Sequence, residues 1–206
     1  MKKIKVLVAD DHAIVRMGLV ALLRSEAGLD VVGEADDGAA AVRVALEKRP
    51  DIVIMDLMMP VLDGISATRE ILREAPEIKV LILTTSTVSD ELARALDAGA
   101  SGAIIKSSEY AELLSAIGVI SAGGRAVSPE IERLIAEDPP VPQLSARQQE
   151  ILQSVTRGLT NVEIAKQLGI SPDMVKEHLN ALFVKIGAAN RSEAVAIALR
   201  KRLLKS

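Results

Sequence analysis

A chain of 206 residues, 49% hydrophobic and 26% charged, has the length for one or two packed cores and the apolar content of a globular rather than a disordered protein. No apolar run reaches the ~18 residues of a membrane span, the apolar stretch after Met1 is too brief for a secretory leader, and zero cysteines exclude a disulfide framework or a thiolate metal site. The net charge of −3 divides unevenly, with 15 Lys and Arg against 23 Asp and Glu in residues 1–143 and 10 against 5 in residues 144–206. These features predict a cytoplasmic protein with no membrane partner. An acidic front and a basic back predict two domains with different partners, the basic one a candidate for nucleic acid. Tyr110 and Phe183 are the only aromatic residues, so stacking on single-stranded bases is disfavoured.

Strand-like apolar runs recur at residues 4–9, 31–35, 52–55, 80–83 and 103–105. Helical spacing of apolar residues fills the stretches near 13–26, 38–48, 64–74, 89–98 and 109–122, as in Leu19, Leu22 and Leu23 or Leu113, Leu114 and Ile117. Five strands alternating with five helices predict an α/β, doubly wound, five-stranded parallel sheet. In a strand order of 2-1-3-4-5, the first and third strands meet at the topological switch point, where such folds bind ligands.

The strands end on chemically specific residues: Asp10-Asp11 after the first, Asp56 after the third, Thr84 after the fourth, Lys106 after the fifth. On its own segment, Asp56 is as readily a turn aspartate as an active carboxylate. Taken singly, Asp10 and Asp11 fit solvated turn positions, Lys106 a surface lysine and Thr84 a strand-end hydroxyl. His12 reads as a helix-start residue. Together, however, three carboxylates at one sheet edge repel unless a cation joins them. Carboxylate oxygens suit Mg²⁺, and Lys106 and Thr84 add a fixed charge and a hydroxyl donor. That set suits a phosphoryl group received by a carboxylate.

The strings ADDH, IVIMDLMMPVLDG, LILTT and GASGAIIKS, over about residues 3–122, resemble the receiver domain of two-component response regulators. The resemblance implies a flavodoxin-like fold, with Asp56 as phosphoacceptor from a sensor histidine kinase. It implies Mg²⁺ held by Asp10, Asp11, Asp56 and the backbone carbonyl of Met58, and phosphoryl contacts from Thr84 and Lys106. One departure stands out. Many receivers carry an aromatic residue three positions before the lysine, whose rotation tracks movement of the threonine, and here that residue is Ala103. Output is then expected to travel through loop and helix movement around the hydroxyl-rich Thr84–Asp90 or through another surface.

After the fifth helix, Ser128-Pro129 predicts a short helix over 129–137, followed by the proline-rich run Pro139-Pro140-Val141-Pro142, which suits a stiff linker. The expected domains are 1–122, a linker with a short helix over 123–143, and a small all-α domain over 144–206. Ser145 to Gln148 and Thr160 to Glu163 both fit the capping-box pattern and should each start a helix. Helices near 161–168 and 172–187, separated by Gly169-Ile170-Ser171, predict a helix-turn-helix. In the later helix Val175, Leu179, Leu182 and Ile186 should pack inward, leaving Lys176, Glu177 and Asn180 for the DNA major groove. A plain helical bundle with a solvated face fits the same pattern.

The strings LSARQQEIL, GLTNVEIAKQLGIS, MVKEHL, KIG and NRSEAV resemble the LuxR-type DNA-binding domain of the NarL/FixJ response regulators. Gln148, Val162 and Met174 depart from the common residues there, and Glu177 departs on the groove-facing side, where it repels phosphates but accepts from cytosine. The candidate double-stranded DNA contacts are Lys176, Glu177, Asn180, Asn161 and Arg191, and a final helix over 192–204 should close the core or form a dimer contact. The whole reads as a transcription factor, not an enzyme, that forms a homodimer when phosphorylated. Two rival readings are a phosphorylation-independent regulator that uses the front domain as a dimer scaffold, and an aspartate-nucleophile phosphatase. The latter usually needs a second acid where Met58 stands.

Overall fold

A computed structural model describes residues 3–142 and 144–204. The chain forms two compact units, Met1–Asp138 and Pro139–Ser206. In the first, strands β1 (Ile4–Ala9), β2 (Leu29–Ala35), β3 (Ile52–Met55), β4 (Lys79–Thr84) and β5 (Gly102–Ile105) alternate with helices α1 (Ala13–Ser25), α2 (Gly38–Lys48), α3 (Gly64–Glu74), α4 (Ser89–Asp97) and α5 (Tyr110–Ser121). A short strand β6 (Ala126–Val127) and a helix α6 (Pro129–Glu137) follow. All strand pairs are parallel, in the order β2-β1-β3-β4-β5-β6.

The strand period of two divides the core. Leu7, Val53, Met55, Val80, Ile82 and Ala103 face α2, α3, α4 and α6, whereas Val6, Val8, Ile52, Ile54, Leu81 and Ile104 face α1 and α5. Both faces are covered, which explains why the strands read as continuous apolar runs rather than alternating ones. Local signals start the helices. The Asp37 and Asp63 side chains accept from the Ala40 and Ser66 amides to cap α2 and α3.

The sheet has six strands, one more than the sequence pattern suggests. Ala126 N donates to Ser101 O at 3.1 Å and Ser128 N to Ala103 O at 3.0 Å, so β6 zips onto the edge of β5. Of the 123–143 stretch expected as a linker, only the part from Pro139 lies outside the first unit. Ser128 caps α6 with Pro129 in its first turn, and Ile131, fully buried, joins the core cluster that also holds Leu92, Ala95 and Ala103.

The second unit holds α7 (Ala146–Thr156), α8 (Asn161–Leu168), α9 (Pro172–Ile186) and α10 (Arg191–Arg200) around its own apolar cluster. Both expected capping boxes form, at Ser145 with Gln148 and at Thr160 with Glu163. Gly169 and Gly187 end α8 and α9 in the left-handed conformation that glycine adopts without a Cβ clash. α10 is shorter than expected, because Arg202 takes a positive φ of 46° and Leu203 N turns back to Ala198 O at 3.0 Å.

Candidate functional site

Backbone ladders place the acidic edge. Asp10 N donates to Ala35 O at 3.1 Å, Asp56 N to Ala9 O at 2.9 Å, and Lys106 N to Thr84 O at 2.8 Å. Each bond carries the sheet pairing one residue past the strand and fixes the start of that side chain. The loop after Asp56 packs closely on it, since a Cβ on Gly64 would lie 2.0 Å from Asp56 O, and only glycine fits there. Within that loop Val61 holds a positive φ of 66°, a strained conformation for a β-branched residue.

Asp10, Asp56 and Thr84 are buried, at 2%, 3% and 0% exposure. Lys106 Nζ lies 2.6 Å from Asp10 Oδ2 and 2.8 Å from Asp56 Oδ2. Burial pushes the Lys106 ammonium down, but hydrogen bonds to Asp10 and Asp56, and the charge of both, outweigh this and hold it above the usual lysine range. Arg16 Nη1 donates to the Asp10 carbonyl at 2.5 Å and steadies β1 from below.

Asp11 completes the edge. Its Oδ1 is screened from solvent yet accepts no hydrogen bond among the described residues, while His12 Nδ1 stands 2.7 Å away as a cation only when protonated. His12 is the N-cap of α1, as its position suggests, and its ring also borders the acids it follows in the sequence. One ligand atom each from Asp10, Asp11, His12 and Asp56 lie within 4.8 Å of one another. Two buried carboxylates beside the half-buried Asp11, whose Oδ1 accepts no hydrogen bond among the described residues, fit a hard divalent cation that prefers oxygen donors. Met58 is placed beside them, its amide 3.5 Å from Asp56 Oδ1.

Thr84 Oγ1 accepts from Ser86 N at 3.0 Å. Ser86 Oγ in turn donates to Glu91 Oε2 at 2.5 Å, with both side chains buried. The sequence flagged this loop only as rich in hydroxyls; which of them meet depends on how it folds back over α4.

In the second unit Val175, Leu179, Leu182 and Ile186 are buried along one side of α9. Lys176, Glu177 and Asn180 are exposed on the other. Asn161 and Arg191 are brought together instead: Arg191 Nη1 donates to Asn161 Oδ1 at 3.4 Å and Nη2 donates to the Leu159 carbonyl. This clasp ties the start of α10 to the start of α8.

Residues 6–118 match the family described as the response regulator receiver domain. Residues 142–198 match the bacterial regulatory proteins of the luxR family. The chain belongs to the LuxR-type response regulators. This response regulator is 36% identical to the transcriptional regulatory protein LiaR of Bacillus subtilis, over 98% of this chain and 99% of LiaR. Its fold is similar to that of the response regulator ChrA of a heme-sensing two-component system, at 37% identity and a TM-score of 0.60, covering 99% and 100% of the two chains. It is also similar to RcsB from Salmonella enterica serovar Typhimurium, bound to promoter P1flhDC in the presence of phosphomimetic BeF3−. That match has 27% identity and a TM-score of 0.70, over 97% and 99% of the chains. In this LuxR-type regulator the receiver match spans most of the first unit, and the luxR match covers α7, α8, α9 and most of α10. No helix among the described residues is long and apolar enough to cross a membrane.

Proposed function

We propose that this regulator accepts a phosphoryl group on Asp56 from a sensor histidine kinase, and that the acyl phosphate controls dimerisation and binding of double-stranded DNA through the second unit. The observation that carries the reading is the grip of Lys106 Nζ on both Asp10 and Asp56 at one buried sheet edge. A carboxylate oxygen of Asp56 forms the bond to phosphorus as the bond to the donor imidazole nitrogen breaks. Lys106 and Thr84 sit on the neighbouring strand ends, where a phosphoryl group draws the ammonium and the hydroxyl toward its oxygens. Asp10, Asp11, Asp56 and the Met58 carbonyl would hold Mg²⁺, which supplies further charge neutralisation when bound. Gly64 lets the following loop close on Asp56.

Phosphorylation adds up to about two negative charges to a buried edge, enough to redistribute its hydrogen bonds. The exposed Lys176, Glu177 and Asn180 on α9 suit reading of base edges. Two copies paired through a homodimer would reach half-sites about one DNA turn apart. Asn161 and Arg191 support this interface by bracing α8 and α10, with DNA contact from the remaining guanidinium donors. A cytoplasmic location follows from a kinase substrate that binds DNA. The role is regulatory, without turnover of a substrate.

Acetyl phosphate with Mg²⁺ tests the chemistry: the wild type should gain one phosphoryl mass and Asp56→Asn none. An unmodified wild type, or an undiminished gain in the variant, refutes the assignment. For the second unit, Lys176→Ala should weaken DNA binding by ~1–3 kcal/mol if the lysine reads a base. Unchanged affinity over a salt series would refute the placement of α9 in the groove.

A further inference from the structure

Ala103, fully buried on the face of β5 beneath α4 and α6, carries a methyl group that has no rotamer to report a change at Thr84. The β4–α4 loop carries a polar connection instead. We infer that Ser86 is a positioning residue that couples Thr84 to the first turn of α4, and through Ser89 and Asp138 to the end of α6. This inference rests on the phosphoryl chemistry proposed for Asp56.

The first link is the Ser86 amide, which donates to Thr84 Oγ1 at 3.0 Å in a buried setting. A hydroxyl has one proton and two lone pairs, so Thr84 holds the loop with a lone pair while its proton is available for a phosphoryl oxygen. When that hydroxyl turns, the Ser86 amide must follow or stay buried without an acceptor, which is costly.

The second link is the Ser86 side chain. α4 begins at Ser89, and its N-cap, Val88, has no side chain able to accept a hydrogen bond. Ser86 ties that end down from outside the helix: Val88 N donates to Ser86 Oγ at 3.3 Å, and Ser86 Oγ donates to Glu91 Oε2 at 2.5 Å. Ser86 and Glu91 are 8% and 7% exposed, so the bond is shielded from water, the setting in which hydrogen bonds strengthen. The start of α4 is therefore tethered to Thr84 rather than self-capped.

The third link leaves α4. Ser89 Oγ donates to Asp138 Oδ2 at 3.1 Å, and Asp138 is the C-cap of α6 and the last residue of the first unit, immediately before Pro139-Pro140. Movement of the α4 terminus thus pulls on the residue at which the first unit ends.

The test uses the full chain with Mg²⁺ and beryllofluoride as the phosphoryl mimic, reading amide hydrogen exchange in peptides over 85–93 and 130–138. In the wild type, loading changes exchange in both segments. Ser86→Ala should load beryllofluoride as the wild type does, yet lose the change over 130–138. Ser86→Thr, which keeps a hydroxyl, should restore it. A merely structural role for Ser86 would raise exchange with and without the mimic and leave the difference in place. A loaded Ser86→Ala that keeps the full response over 130–138, or a loaded Ser86→Thr that lacks it, overturns the relay alone. A wild type that does not load overturns both the relay and the phosphoacceptor reading.

Discussion

Replacing Ile131 with alanine removes a side chain that is fully buried in the core cluster of the first unit. Deleting the buried atoms of an isoleucine and leaving a cavity costs about 2–5 kcal/mol, so about 3 kcal/mol is expected here. With a urea dependence of roughly 2 kcal/mol per M for a unit of this size, the unfolding midpoint of the first unit should fall by about 1.5 M. The chain reports this unit selectively. Its single tyrosine, Tyr110, lies on α5 and donates to Leu22 O at 2.9 Å, and there is no tryptophan. Tyrosine emission in a urea titration therefore follows the first unit, while the second has no such reporter. A residue in a solvated linker changes stability within about 0.5 kcal/mol, or roughly 0.25 M. A midpoint shift that small would refute the claim that α6 belongs to the core of the first unit.

Four further outcomes are expected. Val61→Gly should stabilise the first unit by about 1 kcal/mol, because it relieves a β-branched residue at φ 66°; a lowered urea midpoint would contradict this. Lys106 is held above the usual lysine range, so its contribution to stability is complete below the unfolded lysine pKa of about 10.4 and lost as pH rises through the higher folded value. Alkaline titration of urea midpoints should show that loss in the wild type and not in Lys106→Met, and equal slopes would count against the ion-pair geometry. Thr160→Ala removes the α8 cap and should cost the second unit about 1 kcal/mol by far-UV circular dichroism. Glu163 is held below the usual carboxylate range by the Thr160 amide and hydroxyl, so its help is present above the unfolded pKa and fades as pH falls through the lowered value. Glu163→Gln should flatten that acid-side slope.

Much of this arrangement was legible because it is written in local pattern. The strands of the first unit are apolar runs that stop on Asp10, Asp56, Thr84 and Lys106, and a parallel sheet necessarily gathers those stops on one edge. The capping boxes at Ser145 and Thr160 and the apolar stripe of α9 are likewise local. What escaped depends on contacts between distant residues or on very short segments. β6 has two residues, too few to show a period, and only its pairing with Gly102 and Ala103 makes it a strand. Ile131 looks like any apolar residue of an amphipathic helix until the surface it meets is known. Asn161 and Arg191 match a DNA-contact pattern, but that pattern does not reveal that their side chains also hold each other. The Ser86–Glu91 bond joins an irregular loop to the first turn of α4, and no periodicity marks the loop residue that makes it.

The doubly held Lys106 has a consequence for how this regulator meets metal ions. Its carboxylates carry an internal counter-ion, with Nζ 2.6 Å from Asp10 and 2.8 Å from Asp56. A divalent cation held by these acids would therefore compete with a resident charge instead of neutralising bare acids, and its binding free energy would be the difference between two favourable states. Competition of this kind would raise the ion concentration needed for half occupancy.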